Sequence, residues 1–157
     1  ALFYGRRAVH AAGVEHPWWQ IAANSILATT LLEAGETAQA VELLETARAV
    51  AQQDGSQAYR LRCLAPLAEA TGARDVLIEA TALLAQISAP AGSAWFWGGD
   101  AYLSVARAWL AAGEPAQARL ALAPLLDAAS RVPWSSTLDV ALLLDARAAV
   151  AAGSMST

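Results

Sequence analysis

The sequence predicts an all-helical protein, from its alanine- and leucine-rich composition, its few strand-favouring residues and a near-regular recurrence of glycine. Apolar residues make up 57% and charged residues 15% of the 157 residues, which excludes a disordered chain. Alanine loses no side-chain entropy in a helix and leucine loses little, while the isoleucine, threonine and phenylalanine that favour strands are sparse. The length suits a single domain, residues 1–157, with a sizeable core.

Runs of small residues closed by glycine recur along the chain and divide it into units. The closing glycines stand at positions 35, 72, 113 and 153, at intervals of 37, 41 and 40 residues. Such a period is typical of a solenoid whose unit is one pair of helices. Glycine suits the end of a helix because the residue there takes a positive φ, which is least strained without a Cβ. We therefore predict an αα-superhelix of about three and a half helix pairs, with units at about 17–54, 55–89, 93–132 and 133–153.

Eight helices are predicted in all. The first covers 2–12, three pairs follow at 17–34 and 36–53, 56–71 and 74–87, 94–112 and 115–131, and a single last helix covers 135–152. Glu36 and Glu114, each after a closing glycine, complement the dipole of the next helix. Pro115 suits a first helical position, where no N–H is needed. Pro66 and Pro124 fall inside helices and predict bends.

Two of the glycine segments have nearly the same sequence, EAGETAQA at 33–40 and AAGEPAQA at 111–118. They resemble the tetratricopeptide repeat, in which a glycine closes the first helix and an alanine five residues later lets the second helix pack against it. Ala40 and Ala118 stand at that offset. The resemblance implies a helical-repeat fold that serves protein–protein interaction, and it covers most of residues 17–153.

The other repeat positions match to different degrees. Counting back from the glycines at 113 and 35, the family's first-helix positions hold Tyr102, Val105, Ala106 and Trp109 in one copy and Asn24, Leu27, Ala28 and Leu31 in the other. The copy at 72 is weaker, with Leu77 at the alanine position and Thr81 at the next apolar one. The copy at 153 has only a first helix, with Ala146 and Ala149 at the family positions.

The long joints between units are similar to those in the C-terminal regions of large bacterial transcription regulators, of the LuxR type and of the type that controls antibiotic synthesis. All ten basic residues are arginine, which with the alanine excess is typical of a GC-rich bacterial genome.

The chain begins without methionine or a signal-peptide pattern, and its richest apolar run, 140–152, is too short to span a bilayer. We expect a fragment of a longer cytoplasmic protein that has no membrane contact.

Residues suited to catalysis are few. His10 and His16 are six positions apart and do not share one helix face, so they do not predict a metal site. Cys63 is the only cysteine and is best explained as a small buried residue. Gly98 and Gly99 predict a helix start capped by Asp100 rather than a phosphate-binding loop. We expect no enzyme, no cofactor and no metal, and the net charge of −4 argues against direct nucleic-acid binding.

The resemblance implies a concave groove lined by first-helix side chains, which here are Glu33, Tyr59, Arg62, Asp100, Leu103, Arg107 and Arg147. Its three arginines come from successive units and could form a row that binds the carboxylates of an acidic peptide, or a phosphate. Equally, each arginine could pair with a neighbouring carboxylate, as Arg107 with Asp100 or Glu69. The chaperone-binding members of the family use a clamp that contains lysine, which this chain lacks.

Tryptophans cluster near the starts of first helices and offer a second candidate surface. Trp18, Trp19, Trp95, Trp97 and Trp134 either form an aromatic rim on one edge or fill the joints between units.

The sequence thus predicts an interaction module that binds a protein or peptide. A small-molecule sensor with a tryptophan-walled pocket is one alternative, and an enclosed apolar pocket would favour it. A scaffold that self-associates, for instance through Leu2, Phe3 and Tyr4, is the other. An open groove with exposed arginines would favour peptide binding.

Overall fold

The computed structural model describes residues 2–12, 17–87, 94–129 and 135–154, and every element in these ranges is an α-helix. In chain order they are α1 (Leu2–Ala12), α2 (Pro17–Glu33), α3 (Thr37–Asp54), α4 (Gln57–Thr71), α5 (Arg74–Gln86), α6 (Ala94–Ala111), α7 (Pro115–Ala129) and α8 (Ser135–Ser154). The all-helical class and the eight predicted helices are confirmed, with bounds that differ from the predicted ones by at most two residues.

Glycine ends the first helix at three of the four repeat positions. Positive φ values of 80°, 64° and 74° occur at Gly35, Gly72 and Gly113. After α2, the N–H of Glu36 donates to the carbonyl of Leu31 at 2.9 Å, and after α6 that of Glu114 donates to Trp109 at the same distance. Both bonds span five residues, as in the Schellman motif. The two nearly identical segments therefore close their helices in the same way.

The prediction that Gly153 closes its helix with a positive φ is wrong. Gly153 is part of α8, which extends to Ser154, and the buried face of α8 consists of Ala141, Leu144 and Ala148. Ala146 and Ala149, which the repeat pattern places inside, are exposed. The fourth unit is therefore shifted by one residue relative to the pattern. A helical glycine costs only about 1 kcal/mol relative to alanine, so its presence alone does not end a helix.

The Gly98-Gly99 pair also fails to mark a helix start. α6 begins at Ala94 and runs through both glycines, so Asp100 lies in its second turn and is not a cap. Residues 101–106, which follow directly, are all buried. Burial of this stretch stabilises the helix more than the two glycines weaken it, because helices in proteins are held mainly by tertiary packing. Likewise, α4 and α7 continue through Pro66 and Pro124.

The helices pack both along the chain and across the units. Each helix contacts its neighbours in sequence, and α2, α4, α6 and α8 form a row in which each helix also contacts the next. The repeat alanines at these contacts, Ala28, Ala40, Ala106 and Ala118, have no solvent exposure, which allows close approach of the backbones. One continuous core extends from α2 to α8, and a smaller cluster of Ile21, Ala47, Ala51 and Cys63 lies between α2, α3 and α4.

The repeat copy that ends at Gly72 has threonine at an apolar position of the pattern, and the contacts of Thr81 explain this departure. The hydroxyl of Thr81 accepts a hydrogen bond from Nε1 of Trp109 at 3.0 Å and donates to the carbonyl of Leu77 at 2.7 Å. A buried indole needs a partner for its N–H, which a larger apolar residue at position 81 would not supply. Leu77 and Leu84, at the other repeat positions of α5, are buried, and Ala80 is buried next to Thr81.

Candidate functional site

A cleft of about 260 Å³ opens between α2, α4 and α6. We call it the first cleft. Five of the seven groove residues that the sequence predicts line it, namely Glu33, Arg62, Asp100, Leu103 and Arg107. Its other lining residues are Ser25, Ile26, Thr29, Thr30, Pro66, Ala101 and Ser104. The first cleft is therefore bordered mainly by charged and hydroxyl-bearing side chains of three first helices.

A second cleft, of about 340 Å³, opens between α4, α6 and α8. Its lining residues are Glu69, Arg107, Leu110, Ala111, Leu144 and Arg147. Because Arg107 borders both clefts, they lie side by side along the row of first helices. Together the two clefts are called the groove below.

Arg62 is fixed in the first cleft by a buried hydroxyl. Its Nε donates to Oγ of Ser25 at 2.8 Å, and that Oγ donates to the carbonyl of Ala22 at 3.0 Å. Ser25 is only 3% exposed. Burial lowers the pKa of Arg62, whereas the nearby carboxylate of Asp100 raises it. The guanidinium is thus held in a defined position rather than extended into solvent.

The arginine row is divided between the two clefts. Arg62 and Arg107 line the first cleft, and Arg107 and Arg147 line the second. Nη1 of Arg107 lies 3.6 Å from Oε2 of Glu69, which is one of the two carboxylates predicted as its partner. Arg147 and Glu33 are exposed, and neither forms an ion pair with a described residue. Binding by this row stays a prediction.

Tyr59 and the tryptophans lie elsewhere. Tyr59 is half-buried against the smaller core cluster and borders neither cleft. The rings of Trp18 and Trp19 stack with their centroids 3.8 Å apart, and Trp19 is 52% exposed. Neither ring lines the groove. The side chains of Trp95 and Trp97, and the whole of Trp134, lie outside the described residues.

The structure also contains a charged cluster that the sequence did not reveal. Arg48 of α3 and Arg60 of α4 both donate to Glu79 of α5, at 3.2 and 2.5 Å, and we call these three residues the Glu79 cluster. Arg48 also lies 3.7 Å from Glu45. Nε of each arginine is buried and has no hydrogen-bond partner among the described residues. Arg48 and Glu79 are 31 positions apart, so no helical spacing signals their contact.

Other reactive groups offer little chemistry. Burial raises the pKa of Cys63 to about 12, so its thiol stays protonated at neutral pH and is a poor nucleophile. His10 is exposed on α1, and His16 lies outside the described residues. Within the described ranges, no three histidine, cysteine or acidic side chains come together as metal ligands. No helix in those ranges combines the length and apolar character that crossing a bilayer requires.

In comparisons with known proteins, no protein-family model, curated protein or solved structure matches this chain. The resemblance to the tetratricopeptide repeat therefore rests on residues 33–40 and 111–118 and on the positions counted from them.

Proposed function

We propose that this chain is a tetratricopeptide-like helical-repeat module that binds a peptide segment of a partner protein in the groove. The observation that carries the proposal is the origin of the groove side chains. Glu33 comes from α2, Glu69 from α4, Arg107 from α6 and Arg147 from α8, so every first helix contributes a charged residue. A row of charged side chains from successive helices suits an extended ligand that crosses several of them.

The lining of the groove favours a peptide over a small molecule. Small-molecule sites usually enclose about 300–1,000 Å³ and are mostly apolar. The first cleft, at about 260 Å³, is smaller than this, and the second, at about 340 Å³, is at the lower end of the range. Charged side chains line both, namely Glu33, Arg62, Asp100 and Arg107 in the first and Glu69, Arg107 and Arg147 in the second. The stacked rings of Trp18 and Trp19 border neither cleft, so in the described residues no tryptophan walls a pocket there.

Self-association is the second candidate, and exposed apolar side chains favour it. On α1, Phe3 and Tyr4 are 66% and 73% exposed, and on α8, Leu142, Leu143 and Val150 are 51%, 61% and 74% exposed. Adjacent exposed apolar residues often mark interaction surfaces. Light scattering after gel filtration, at several protein concentrations, tests this. A mass that rises with concentration supports a scaffold role, and a constant monomer mass contradicts it.

The biological setting is proposed on the resemblance alone. Divergent repeats with long joints suggest the partner-sensing or scaffolding part of a cytoplasmic bacterial transcription regulator. The proposed binding requires no cofactor, membrane or direct nucleic-acid contact.

Arg107 provides the sharpest test because it borders both clefts. We would screen a library of fluorescein-labelled peptides by anisotropy and then measure the binders against Arg107→Glu. The reversal adds a carboxylate to both clefts and leaves Glu69 without its counter-ion, so we expect the affinity for a binder with an acidic side chain to fall about tenfold. Arg6→Glu makes the same charge change on exposed α1 and is the matched control, which should leave affinity unchanged. Peptides that bind both variants equally well, or the absence of any binder, would contradict the proposal.

A further inference from the structure

Arg107 and Glu69 form an ion pair within the groove, and the charges that remain are unevenly distributed between the two clefts. Arg107 and Glu69, 3.6 Å apart, neutralise each other at the boundary between the clefts. The first cleft then keeps the two carboxylates of Glu33 and Asp100 and the one guanidinium of Arg62, for a net charge of −1. The second cleft keeps Arg147 alone, for a net charge of +1. The groove therefore has a negative end and a positive end.

The charges at both ends are accessible to a ligand. Glu33 and Asp100 are exposed, and neither forms an ion pair with any described residue. Arg147 is exposed in the same way at the other end. Arg62, in contrast, is tied to Ser25 at 2.8 Å. The carboxylate of Asp100 is close enough to Arg62 to oppose the lowering of its pKa by burial, so the charges that remain for a partner are Glu33 in the first cleft and Arg147 in the second.

The distance between the two charged ends, and the apolar side chains between them, indicate the length and composition of the ligand. Apolar side chains border both clefts, with Ile26, 52% exposed, in the first and Leu110 in the second. The clefts share α4 and α6, so their centres differ by one helix-to-helix step of about 8–10 Å. A chain in the extended polyproline II conformation advances about 3.1 Å per residue and has three residues per turn, so side chains three residues apart lie on the same side and about 9 Å from each other.

We propose that the groove selects an extended peptide segment with one basic and one acidic side chain about three residues apart. The basic side chain binds Glu33 in the first cleft, and the acidic side chain binds Arg147 in the second. Apolar residues between them contact Ile26 and Leu110. This deepens, and rests on, the proposed peptide-binding function. It also replaces the purely acidic partner that the arginines alone suggest with a segment that carries both charges.

The test uses the full chain and short labelled peptides of fixed length. The bipolar probe has a central Arg-Leu-Leu-Glu between Gly-Ser flanks, and its reverse has Glu-Leu-Leu-Arg. The comparison peptides carry Arg-Leu-Leu-Arg, Glu-Leu-Leu-Glu and Gln-Leu-Leu-Gln. Each exposed charge pair contributes about a two- to fivefold gain in affinity, so we expect one bipolar order to bind about fivefold tighter than the neutral peptide. The tighter order also gives the direction of the bound chain.

Charge reversal in the protein makes the test specific. Arg147→Glu should make Arg-Leu-Leu-Arg the preferred peptide, and Glu33→Arg should favour Glu-Leu-Leu-Glu. Arg6→Glu, outside the groove, should leave the ranking of the wild type unchanged. If the five peptides rank in the same order for the wild type and for the two groove variants, the inference is overturned, although peptide binding itself stands. Binding of none of the probes or of the library peptides overturns the proposed function instead. Displacement of the bipolar probe by free arginine at equal concentration would identify a small zwitterion as the occupant and also overturn the inference.

Discussion

Two groups of arginines in this chain occupy contrasting environments, the Glu79 cluster and the groove. In the Glu79 cluster, Arg48 and Arg60 converge on one carboxylate from a third helix, and their side chains are only 25% and 34% exposed. In the groove, Arg107 is 41% exposed with a carboxylate at 3.6 Å, and Arg147 is exposed without an ion pair to a described residue. Chemically identical side chains thus have their charge compensated inside the protein at Arg48 and Arg60 and leave it to solvent at Arg147.

The difference separates side chains that hold helices together from those available to a partner. A half-buried charge loses part of its hydration, so it needs a counter-ion within the fold. Glu79 supplies that counter-ion for two arginines and joins α3, α4 and α5. An exposed charge such as that of Arg147 keeps its hydration and contributes little to folding. Mutations should therefore affect stability in the first region and binding in the second.

The largest expected effect is that of Glu79→Gln. The substitution leaves Arg60 without a counter-ion and Arg48 with only the exposed carboxylate of Glu45, and it should lower the free energy of unfolding by about 2 kcal/mol, between the values for exposed and fully buried pairs. Urea denaturation followed by circular dichroism measures this. Glu45→Gln, at a carboxylate that is 53% exposed and 3.7 Å from Arg48, is the control and should change stability by less than about 0.5 kcal/mol. Equal effects at the two positions would contradict a structural role for Glu79.

A smaller effect is expected at Arg62, which lies in the groove but is anchored like a structural arginine. Arg62→Met removes the 2.8 Å hydrogen bond to Ser25 but also relieves the burial that lowers the pKa of the guanidinium. We expect a net loss of about 1 kcal/mol in the free energy of unfolding. The first cleft becomes more negative, so a basic peptide end should bind more tightly by anisotropy. A loss as large as that of Glu79→Gln would place Arg62 with the structural arginines.

The sequence predicts the helices well because their ends depend on local chemistry. Gly35 and Gly113 end helices since the residue after each donates back to the last turn, and the sequence around both is nearly the same. Gly153 shows the limit of this reasoning. Its position in the repeat suggested an end, but α8 continues and buries Ala148 instead of Ala149. A shift of one residue rotates a helix face by about 100°, which spacing alone does not detect.

The groove was only partly predictable, for a related reason. Counting from the closing glycines identified Arg62 and Arg107 as neighbours in the first cleft, because successive first helices present the same face. The same count also included Tyr59, which packs on the smaller core cluster. The sequence predicted Asp100 or Glu69 as the partner of Arg107 without deciding between them, and it did not predict the cluster around Glu79, in which Arg48 and Glu79 are 31 positions apart. Such contacts depend on the distance between packed helices, which the sequence does not specify.

The smallest effect on stability, and the clearest contrast with Glu79, is expected for Arg147→Gln. Its guanidinium is exposed and makes no ion pair with a described residue, so the free energy of unfolding should change by less than about 0.5 kcal/mol. The affinity for a peptide with an acidic end should nevertheless fall about two- to fivefold, and raised salt should reduce this difference because exposed charges are screened. Denaturation and anisotropy on the same preparation measure both quantities. A loss in the free energy of unfolding as large as that of Glu79→Gln, or an unchanged affinity at low salt, would contradict the prediction. Exposure would then not distinguish arginines that stabilise the fold from arginines that bind a partner.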